Sequence, residues 1–343
     1  MKRIPFLEDE MIVKGEYPGF FEGMPPTPKL STPITPKENY LAAYREKEML
    51  WLPSTVDQTM VMPMFLEDNV ARFAGGGKDF FGIEWIWIEV AMGAMVKPGS
   101  PLINDMNHWK EKIVFPNLDN YPWETANETT FDDEERIVSA SVPNGLFERL
   151  ISFMDFEGAA LALIDEDQQN AILDFFDRLA DFYIQLTDKF IEYYHIDILN
   201  FHDDWGSQRA PFFSPETVRK MILPALKKIV DHAHKKKLIF DMHSCGKNEM
   251  LTPIYIEAGV DSWSPQTMND LGSLYKKYGD KIMFSVSPPE MSPDATDEEI
   301  YLVAQRFVDQ YCHLGKPVSV FLFESHPKMR EAIYKLSRIA LST

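Results

Sequence analysis

The stretch DILNFHDDWGSQRAPFFSPETVRKMILPALKKIVDHAHKKKLIFDMHSCG, residues 197–246, decides the fold, because it reads as a strand, a helix and a second strand. Asp197–His202 and Leu238–Met242 are short and nearly continuous in apolar residues, as strands are when both faces are covered. Between them, Ser214–His234 begins with a serine cap and with Pro215 at its first helical position. Such a unit predicts parallel pairing through a right-handed crossover.

The same alternation of strand and helix continues along the chain and indicates an α/β protein. Further strands are predicted at Ile137–Ser141, Val260–Ser264, Lys281–Val286 and Val318–Phe323, and further helices at Asn144–Met154, Asp167–Tyr194, Glu249–Glu257, Asp270–Tyr278, Asp297–His313 and Pro327–Leu341. No Gly-x-Gly-x-x-Gly follows a strand, so a doubly wound dinucleotide-binding sheet is disfavoured. We therefore expect a closed TIM (β/α)8 barrel.

Two regions do not follow this alternation of strands and helices. Residues 1–36 are rich in proline, which disfavours helix and ladder pairing, and we expect an N-terminal extension there. Residues 37–343 are then a single catalytic TIM-barrel domain, with an inserted loop and hairpin region near 73–123. The glycines at 75–77 are not followed by Gly-Lys-Ser/Thr, which argues against a phosphate cradle.

Composition limits the setting and the partners. The chain has 343 residues, ordinary globular composition and a formal net charge of −19, which disfavours a nucleic-acid partner. Its two cysteines, Cys245 and Cys312, do not form a disulfide framework, as in a reducing compartment. The longest apolar runs are too short to span a bilayer. We expect a cytoplasmic protein that does not enter a membrane.

Polar side chains follow five successive predicted strands, where TIM barrels carry their chemistry. These strand ends are His202-Asp203-Asp204, His243-Ser244-Cys245, Ser264-Pro265-Gln266, Ser285-Val286-Ser287 and Glu324-Ser325-His326. Turn chemistry alone often supplies Ser and Asp, but less often His, Cys, Gln and Glu. The pattern therefore indicates one functional mouth.

His243 and Cys245 are the strongest candidates for metal binding. Residues i and i+2 of an extended strand lie on the same side, so the imidazole and the thiolate can chelate one ion. Nitrogen plus sulfur favours zinc. A catalytic zinc has three protein ligands, and the third is open here between Glu324 and His326; Cys312 lies in a helical stretch, away from the strand ends.

Several residues are candidates for catalysis or substrate contact. One of the adjacent carboxylates Asp203 and Asp204 is expected to point inward, where it orients a water, binds a substrate hydroxyl or acts as acid or base. We take Asp203 as the catalytic candidate, and His202 and Asp241 as candidates for the same roles. The predicted substrate contacts are Trp85, His202, Gln266 and Ser285; the aromatic residues of the 80s either close over a flat substrate or belong to the core.

These residues resemble the uroporphyrinogen decarboxylase superfamily, and most closely its corrinoid-dependent methyltransferases. The resemblance covers roughly residues 37–343 and is densest at Asp203-Asp204-x-Gly-x-Gln208, Ser214-Pro215-Glu216, Pro224 and His243-Ser244-Cys245-Gly246. It implies a TIM barrel in which zinc acts on the substrate while a methyl group moves to or from the cobalt of a separate corrinoid protein. It also places Gln208 with Asp203 in the catalytic motif.

The resemblance implies that His243 and Cys245 are the first two zinc ligands. The family's third ligand is a cysteine near the end of the last strand, where this chain reads FLFESHPKM. Glu324 or His326 is the expected substitute. The true decarboxylases carry an arginine-rich motif after their first strand, and the corresponding WLPSTVDQTMVMPM has no arginine.

The leading hypothesis is a zinc-dependent methyltransferase that moves a methyl group between a small methylated substrate and a corrinoid protein. Methoxylated aromatics, methylamines and methyl thiols are the candidate substrates, and the aromatic segment at 80–87 slightly favours the first. A decarboxylase-like lyase with Asp203 as its acid, and a metal-free barrel with a binding role, are the alternatives.

Overall fold

The computed structural model describes residues 4–20, 24–91, 93–128, 134–322 and 325–342. The strands of these residues are β1 (Val13–Tyr17), β2 (Thr27–Leu30), β3 (Gln58–Val61), β4 (Gly76–Lys78), β5 (Glu84–Ile88), β6 (Gly93–Val96), β7 (Ile137–Val142), β8 (Ile198–His202), β9 (Ile239–Ser244), β10 (Ser262–Pro265), β11 (Met283–Val286) and β12 (Val318–Val320). No described helix is long and apolar enough to cross a membrane.

The helices of the same residues are α1 (Pro36–Arg45), α2 (Glu67–Phe73), α3 (Trp109–Lys112), α4 (Leu146–Ala162), α5 (Gln169–Tyr194), α6 (Pro215–Thr217), α7 (Leu223–Lys235), α8 (Thr252–Ala258), α9 (Leu271–Tyr278), α10 (Asp297–Cys312) and α11 (Met329–Ser342). A five-residue π-helical segment, Val218–Ile222, joins α6 to α7. Short 3-10 turns occur in the connections.

The chain divides into two compact units, each with its own strands and helices. The first comprises the described residues of 1–60, 131–139 and 261–343, and the second those of 61–130 and 140–260. In the first unit β10, β11 and β12 pair in parallel. In the second unit β8 and β9 pair in parallel over five residues.

The parallel strands and the helices between them confirm the α/β class. Seven strands follow this alternating pattern, namely β3 and β7 to β12. Parallel strands that alternate with helices are typical of a TIM-like fold, and closure into an eight-stranded barrel stays a prediction.

Local sequence signals set the helix boundaries. Thr35 caps α1, and Glu38 completes the capping box by reaching back to the Thr35 backbone. Ser214 accepts a hydrogen bond from the Thr217 backbone at 3.1 Å, so the predicted serine cap is confirmed. Helix α5 buries one apolar stripe that includes Phe175 and Leu179, which is the helical spacing read from the sequence.

The predicted insertion near 73–123 contains a three-stranded antiparallel sheet, β4-β5-β6. Its strands are short, and Gly75, Gly76 and Gly77, the last two of which belong to β4, all have positive φ. The hairpin prediction is confirmed.

The N-terminal 36 residues differ from the expectation that proline prevents ladder pairing, since β1 and β2 form an antiparallel pair. Pro28 stands opposite Glu16 in this pair. Proline is tolerated because a two-stranded ribbon consists only of edge strands, where a missing N–H need not break a ladder.

A buried ion pair attaches this N-terminal segment to α11. Arg338 donates from Nε and Nη2 to the two carboxylate oxygens of Glu10, at 2.8 Å each, and Tyr334 donates to the same carboxylate at 2.7 Å. Burial works against ionisation of Glu10, but these hydrogen bonds outweigh it and lower its pKa. The exposed pair between Lys335 and Glu8 lies beside it on the same helix.

We predict that Arg338→Leu lowers the free energy of unfolding by about 3 kcal/mol, because Glu10 is left charged and buried without its partner. The matched control Lys335→Leu removes an exposed ion pair and is expected to cost less than about 0.5 kcal/mol. Urea unfolding of both variants measures the difference. Equal losses in the two variants would contradict a structural role for the Glu10–Arg338 pair.

Candidate metal centre

The register of β8 against β9 builds the site. His202 is paired with His243, and Asn200 is paired with Asp241. Side chains alternate between the faces of a strand, so these four project to one face. The intervening Phe201 and Met242 are fully buried on the other face.

Three side chains at the carboxyl ends of these strands converge. The carboxylate of Asp204, a ring nitrogen of His243 and the sulfur of Cys245 lie within 4.8 Å of one another. All three residues are half-buried. They offer one oxygen, one nitrogen and one sulfur ligand, and this is the metal-type cluster that the described residues contain.

Hydrogen bonds and a tight turn hold the cluster. The Cys245 backbone N–H donates to Asp204 Oδ1 at 2.7 Å, and His243 Nε2 lies 3.1 Å from Cys245 Sγ. Gly246 follows with φ of +94°, and a Cβ there would come within 2.3 Å of the Gly206 backbone. The turn after Cys245 therefore requires glycine.

Asp203, the neighbour of Asp204, has a different role. Its carboxylate accepts hydrogen bonds from the backbone N–H groups of Leu146, Phe147 and Glu148 at 2.9 to 3.1 Å. Gly145 permits this approach, since a Cβ there would meet the Asp203 side chain at 2.4 Å. Burial raises the pKa of Asp203 to about 6, against the opposing effect of the backbone donors. Asp203 thus caps α4.

Helix α4 in turn places Glu148 near the cluster. Arg72 Nη2 donates to Glu148 Oε1 at 3.1 Å, and Arg72 Nη1 donates to the Ala94 carbonyl at 2.9 Å. Burial, followed by the Asp204 and Asp203 carboxylates, raises the pKa of Glu148 to about 8, and Arg72 opposes the rise. Asp204 and Cys245 also interact electrostatically with the Arg72 guanidinium. The cluster therefore has one nearby cation and one nearby acid.

His202 and Cys245 both favour their neutral forms. Burial lowers the pKa of His202 well below its usual value, and His243 and Arg72 add to the effect. Its ring lies 5.0 Å from that of His243, centroid to centroid. Burial raises the pKa of the Cys245 thiol, as do the carboxylates of Asp204 and Glu148. A cation bound at the cluster would instead lower the pKa of the Cys245 thiol and favour the thiolate.

Of the two predicted third ligands, the structure describes only His326. Glu324 lies outside the described residues. His326 belongs to the first unit, where its Nδ1 accepts a hydrogen bond from the Lys328 backbone at 3.2 Å, and it is not a member of the cluster. Among the described residues, Asp204 is the one placed where it could supply a third ligand atom.

The other predicted site residues are distributed over both units. Gln208 is exposed in the loop after β8. Gln266 and Ser285 are half-buried residues of the first unit, and Ser285 stands opposite Ser319 in the ladder. Their proposed substrate contacts stay predictions.

Trp85 lies in the core of the inserted sheet, which is the alternative that the sequence left open. It packs with Ala71 and Ala94, is only 4% exposed, and donates its indole N–H to Asp79 at 2.9 Å. This burial does not favour contact with a substrate.

Sequence reasoning named Asp204 as one of two carboxylates that could point inward but preferred Asp203, and it missed Arg72, Glu148 and Asn200. Strand parity could have found Asn200 and selected Asp204, because Asn200, His202 and Asp204 follow each other in steps of two, as Asp241, His243 and Cys245 do. Arg72 and Glu148 come from helices and have no such signal in the sequence.

Comparisons with known proteins support the fold. No family model and no curated protein match the chain. A solved structure of a methyltransferase from Methanosarcina mazei resembles it with a TM-score of 0.58 and 14% identity, over 88% of this chain and 82% of that one. At this identity the likeness shows only that the chain shares the α/β fold of that structure.

Two other solved structures are more distant. An uncharacterised protein has a TM-score of 0.28 and 13% identity over 47% of this chain and 44% of that one. An intracellular xylanase from Thermoanaerobacterium saccharolyticum has a TM-score of 0.34 and 12% identity over 62% of this chain and 74% of that one. Likenesses this low carry no argument about the fold or the site.

We predict that Gly246→Ala destabilises the protein by more than about 2 kcal/mol, because it combines a strained φ with a backbone clash. Gly99→Ala is the matched control, since Gly99 has φ of +86° but open space around it. Gly99→Ala should lower the free energy of unfolding by only about 1 kcal/mol, which is the effect of the positive φ alone. Thermal unfolding measures both, and similar losses would show that Gly206 does not confine this turn.

Proposed function

We propose that the chain is a zinc-dependent methyltransferase that moves a methyl group between a small methylated substrate and a corrinoid protein. The observation that carries the proposal is the convergence of Asp204, His243 and Cys245 within 4.8 Å. The methyltransferase-like fold supports it. The zinc, the corrinoid partner and the substrate are inferences from this site and from the sequence motifs.

The ligand atoms fit zinc. Catalytic zinc takes three protein ligands from nitrogen, sulfur and oxygen donors and keeps one position open. Without a cation, burial raises the pKa of the Cys245 thiol, and repulsion between the Asp204 carboxylate and a thiolate at Cys245 raises it further. A divalent cation would turn that repulsion into shared attraction and favour the thiolate.

Zinc bound there would act as a Lewis acid on the heteroatom that carries the methyl group. The chain's own residues orient and balance the site. His202 stays neutral and packs against His243, while Asp203 fixes α4 and with it Glu148. Arg72 donates to Glu148 beside the cluster, and because the pKa of Glu148 is raised to about 8, Arg72 places a positive charge near the metal position at neutral pH.

The choice among methoxylated aromatics, methylamines and methyl thiols rests on the residues around the cluster. The aromatic segment at 80–87 gives less support to a flat aromatic substrate than the sequence indicated, since Trp85 is buried. The corrinoid protein remains the proposed partner, and cobalt the proposed methyl carrier.

We predict about one equivalent of zinc per chain after growth in zinc-supplemented medium. His243→Ala, Cys245→Ser and Asp204→Ala each remove one ligand and should leave less than about a tenth of an equivalent after dialysis. Cys312→Ser is the matched control, because Cys312 is the other half-buried cysteine and belongs to α10. It should retain the wild-type zinc content, as measured by plasma emission spectrometry.

Zinc-free wild type would contradict the metal centre and favour the binding role. Loss of zinc from Cys312→Ser but not from Cys245→Ser would place the metal elsewhere. Retention by Asp204→Ala alone would return the third position to Glu324 or His326.

We also predict methyl transfer to reduced cobalamin, followed as the change from the cob(I)alamin to the methylcobalamin spectrum. Zinc-loaded wild type should transfer methyl groups from at least one member of a panel of methoxylated aromatics, methylamines and methyl thioethers. Cys245→Ser should be as slow as the reaction without protein, whereas Cys312→Ser should match wild type. No spectral change across the panel would reject methyl transfer even if zinc is bound.

A further inference from the structure

The first unit contains a small cavity that the proposed methyl transfer does not use. Its volume, counted as the space open to the centre of a water molecule, is about 20 Å³. It lies where the N-terminal segment meets α11 and the residues that precede β3, and all of its lining residues belong to this unit. About 10 to 15 Å³ is enough for one water, so the cavity has room for a water and for little more.

Polar groups from three parts of the chain line this cavity. They are the carboxylate of Asp57, the guanidinium of Arg330 and the hydroxyls of Ser54 and Thr32, and apolar side chains such as Ile333 form the rest of the wall. The side chains of Asp57 and Arg330 are only 5% and 14% exposed. Apolar cavities stay dry, whereas a cavity with two to four polar partners holds an ordered water.

The carboxylate of Asp57 uses one of its two oxygens within the protein. Its Oδ2 accepts hydrogen bonds from the Ser54 backbone N–H at 2.9 Å, from the Ser54 hydroxyl at 3.2 Å and from the Trp51 indole N–H at 3.4 Å. Its Oδ1 has no hydrogen bond to a described residue, and its ion pair with Arg330 Nη2 spans 3.8 Å. A buried oxygen without a donor is unfavourable, so Oδ1 is the atom that needs a further partner.

The guanidinium of Arg330 is in a similar position. Its Nη1 donates to the Pro28 carbonyl, whereas its Nη2 makes no hydrogen bond within the described part of the chain. The 3.8 Å between Nη2 and Asp57 Oδ1 exceeds the usual N–H···O range of about 2.7 to 3.2 Å. A polar contact of this length between two buried groups is typical of a pair bridged by water.

The protonation state of Asp57 does not change which ligand fits. Burial raises the pKa of Asp57, and the charge of Arg330 and the hydrogen bonds from Ser54 oppose the rise. A proton on this carboxyl group would sit on Oδ1, because Oδ2 already accepts three hydrogen bonds. A water donates to an ionised Oδ1 and accepts from a protonated one, so it fits both states. A small anion is repelled by the ionised carboxylate, and a small cation is repelled by Arg330.

We propose that this cavity binds one ordered water, which joins Arg330 Nη2 to Asp57 Oδ1. The water accepts from the guanidinium, shares a hydrogen bond with the carboxyl group, and takes the hydroxyl of Ser54 or Thr32 as its third partner. Three hydrogen bonds are typical of a buried water. The site goes beyond the proposed function and is independent of zinc and of methyl transfer.

The water connects the N-terminal segment to the parallel strands of the first unit. Arg330 of α11 holds the carbonyl of Pro28 in β2. Ser54, on the other side of the water, forms a parallel bridge with Val320 of β12, and the Val320 N–H donates to the Pro53 carbonyl at 2.8 Å. One water thus completes a contact among β2, α11 and the chain segment beside β12.

A high-resolution crystal structure of the full chain tests the proposal directly. It should show one water at full occupancy within about 3.2 Å of both Asp57 Oδ1 and Arg330 Nη2. No water in the cavity, a water bonded to only one of these two atoms, or a direct hydrogen bond between them would overturn the proposal.

Arg330→Met keeps the length of the side chain and removes the donor. Oxygen-17 relaxation dispersion of the solvent counts long-lived internal waters in solution, and the count should fall by one in this variant. Lys328→Met is the matched control, since Lys328 lies in the same segment and forms an exposed pair with Asp297. It should keep the wild-type count. An unchanged count in Arg330→Met, or an equal fall in the control, would contradict the bridge.

Asp57→Asn provides a second variant in case Arg330→Met does not fold. Its amide oxygen can replace Oδ2, and its amide nitrogen then donates to the water as a protonated Oδ1 would. The number of long-lived waters should therefore stay at the wild-type value. Loss of one water from Asp57→Asn would show that the charge of the carboxylate holds it, and would count against a bridge that fits both protonation states.

Discussion

The parallel register that sets His202 beside His243 is the constraint on which the rest of the site depends. Once these residues are paired, every second residue of both strands faces the same way, so Asn200 meets Asp241 and Asp204 reaches Cys245. A shift of one residue would turn these side chains into the apolar layer that Phe201 and Met242 now occupy.

Because of this register, the adjacent carboxylates Asp203 and Asp204 have different roles. Asp204 has the parity of His202 and joins the cluster, whereas Asp203 has the opposite parity and caps α4. The cap is more than local, because α4 carries Glu148 to Arg72. One pair of neighbouring residues thus supplies a candidate ligand atom and positions the groups that surround it.

The sequence predicts more of the fold than of the site. Apolar runs and caps placed most strands and helices within a few residues, as at β8, α5 and α7, because each depends on local periodicity. His243 and Cys245 were found because their spacing is itself local. The third ligand atom was not found, since it depends on register between strands, and Arg72 and Glu148 were not found, since helices bring them from 76 residues apart in sequence. The proline-rich segment was misjudged because a ribbon tolerates proline where a wider sheet does not.

X-ray absorption at the zinc edge tests the proposed zinc centre most directly, because it reports the type and distance of the atoms bound to the metal. The account predicts one sulfur at about 2.3 Å and nitrogen or oxygen neighbours at about 2.0 to 2.2 Å. The sulfur shell should vanish in any zinc that Cys245→Ser still binds. A zinc shell without sulfur in the wild type, or one with two sulfurs, would contradict a centre built from Asp204, His243 and Cys245.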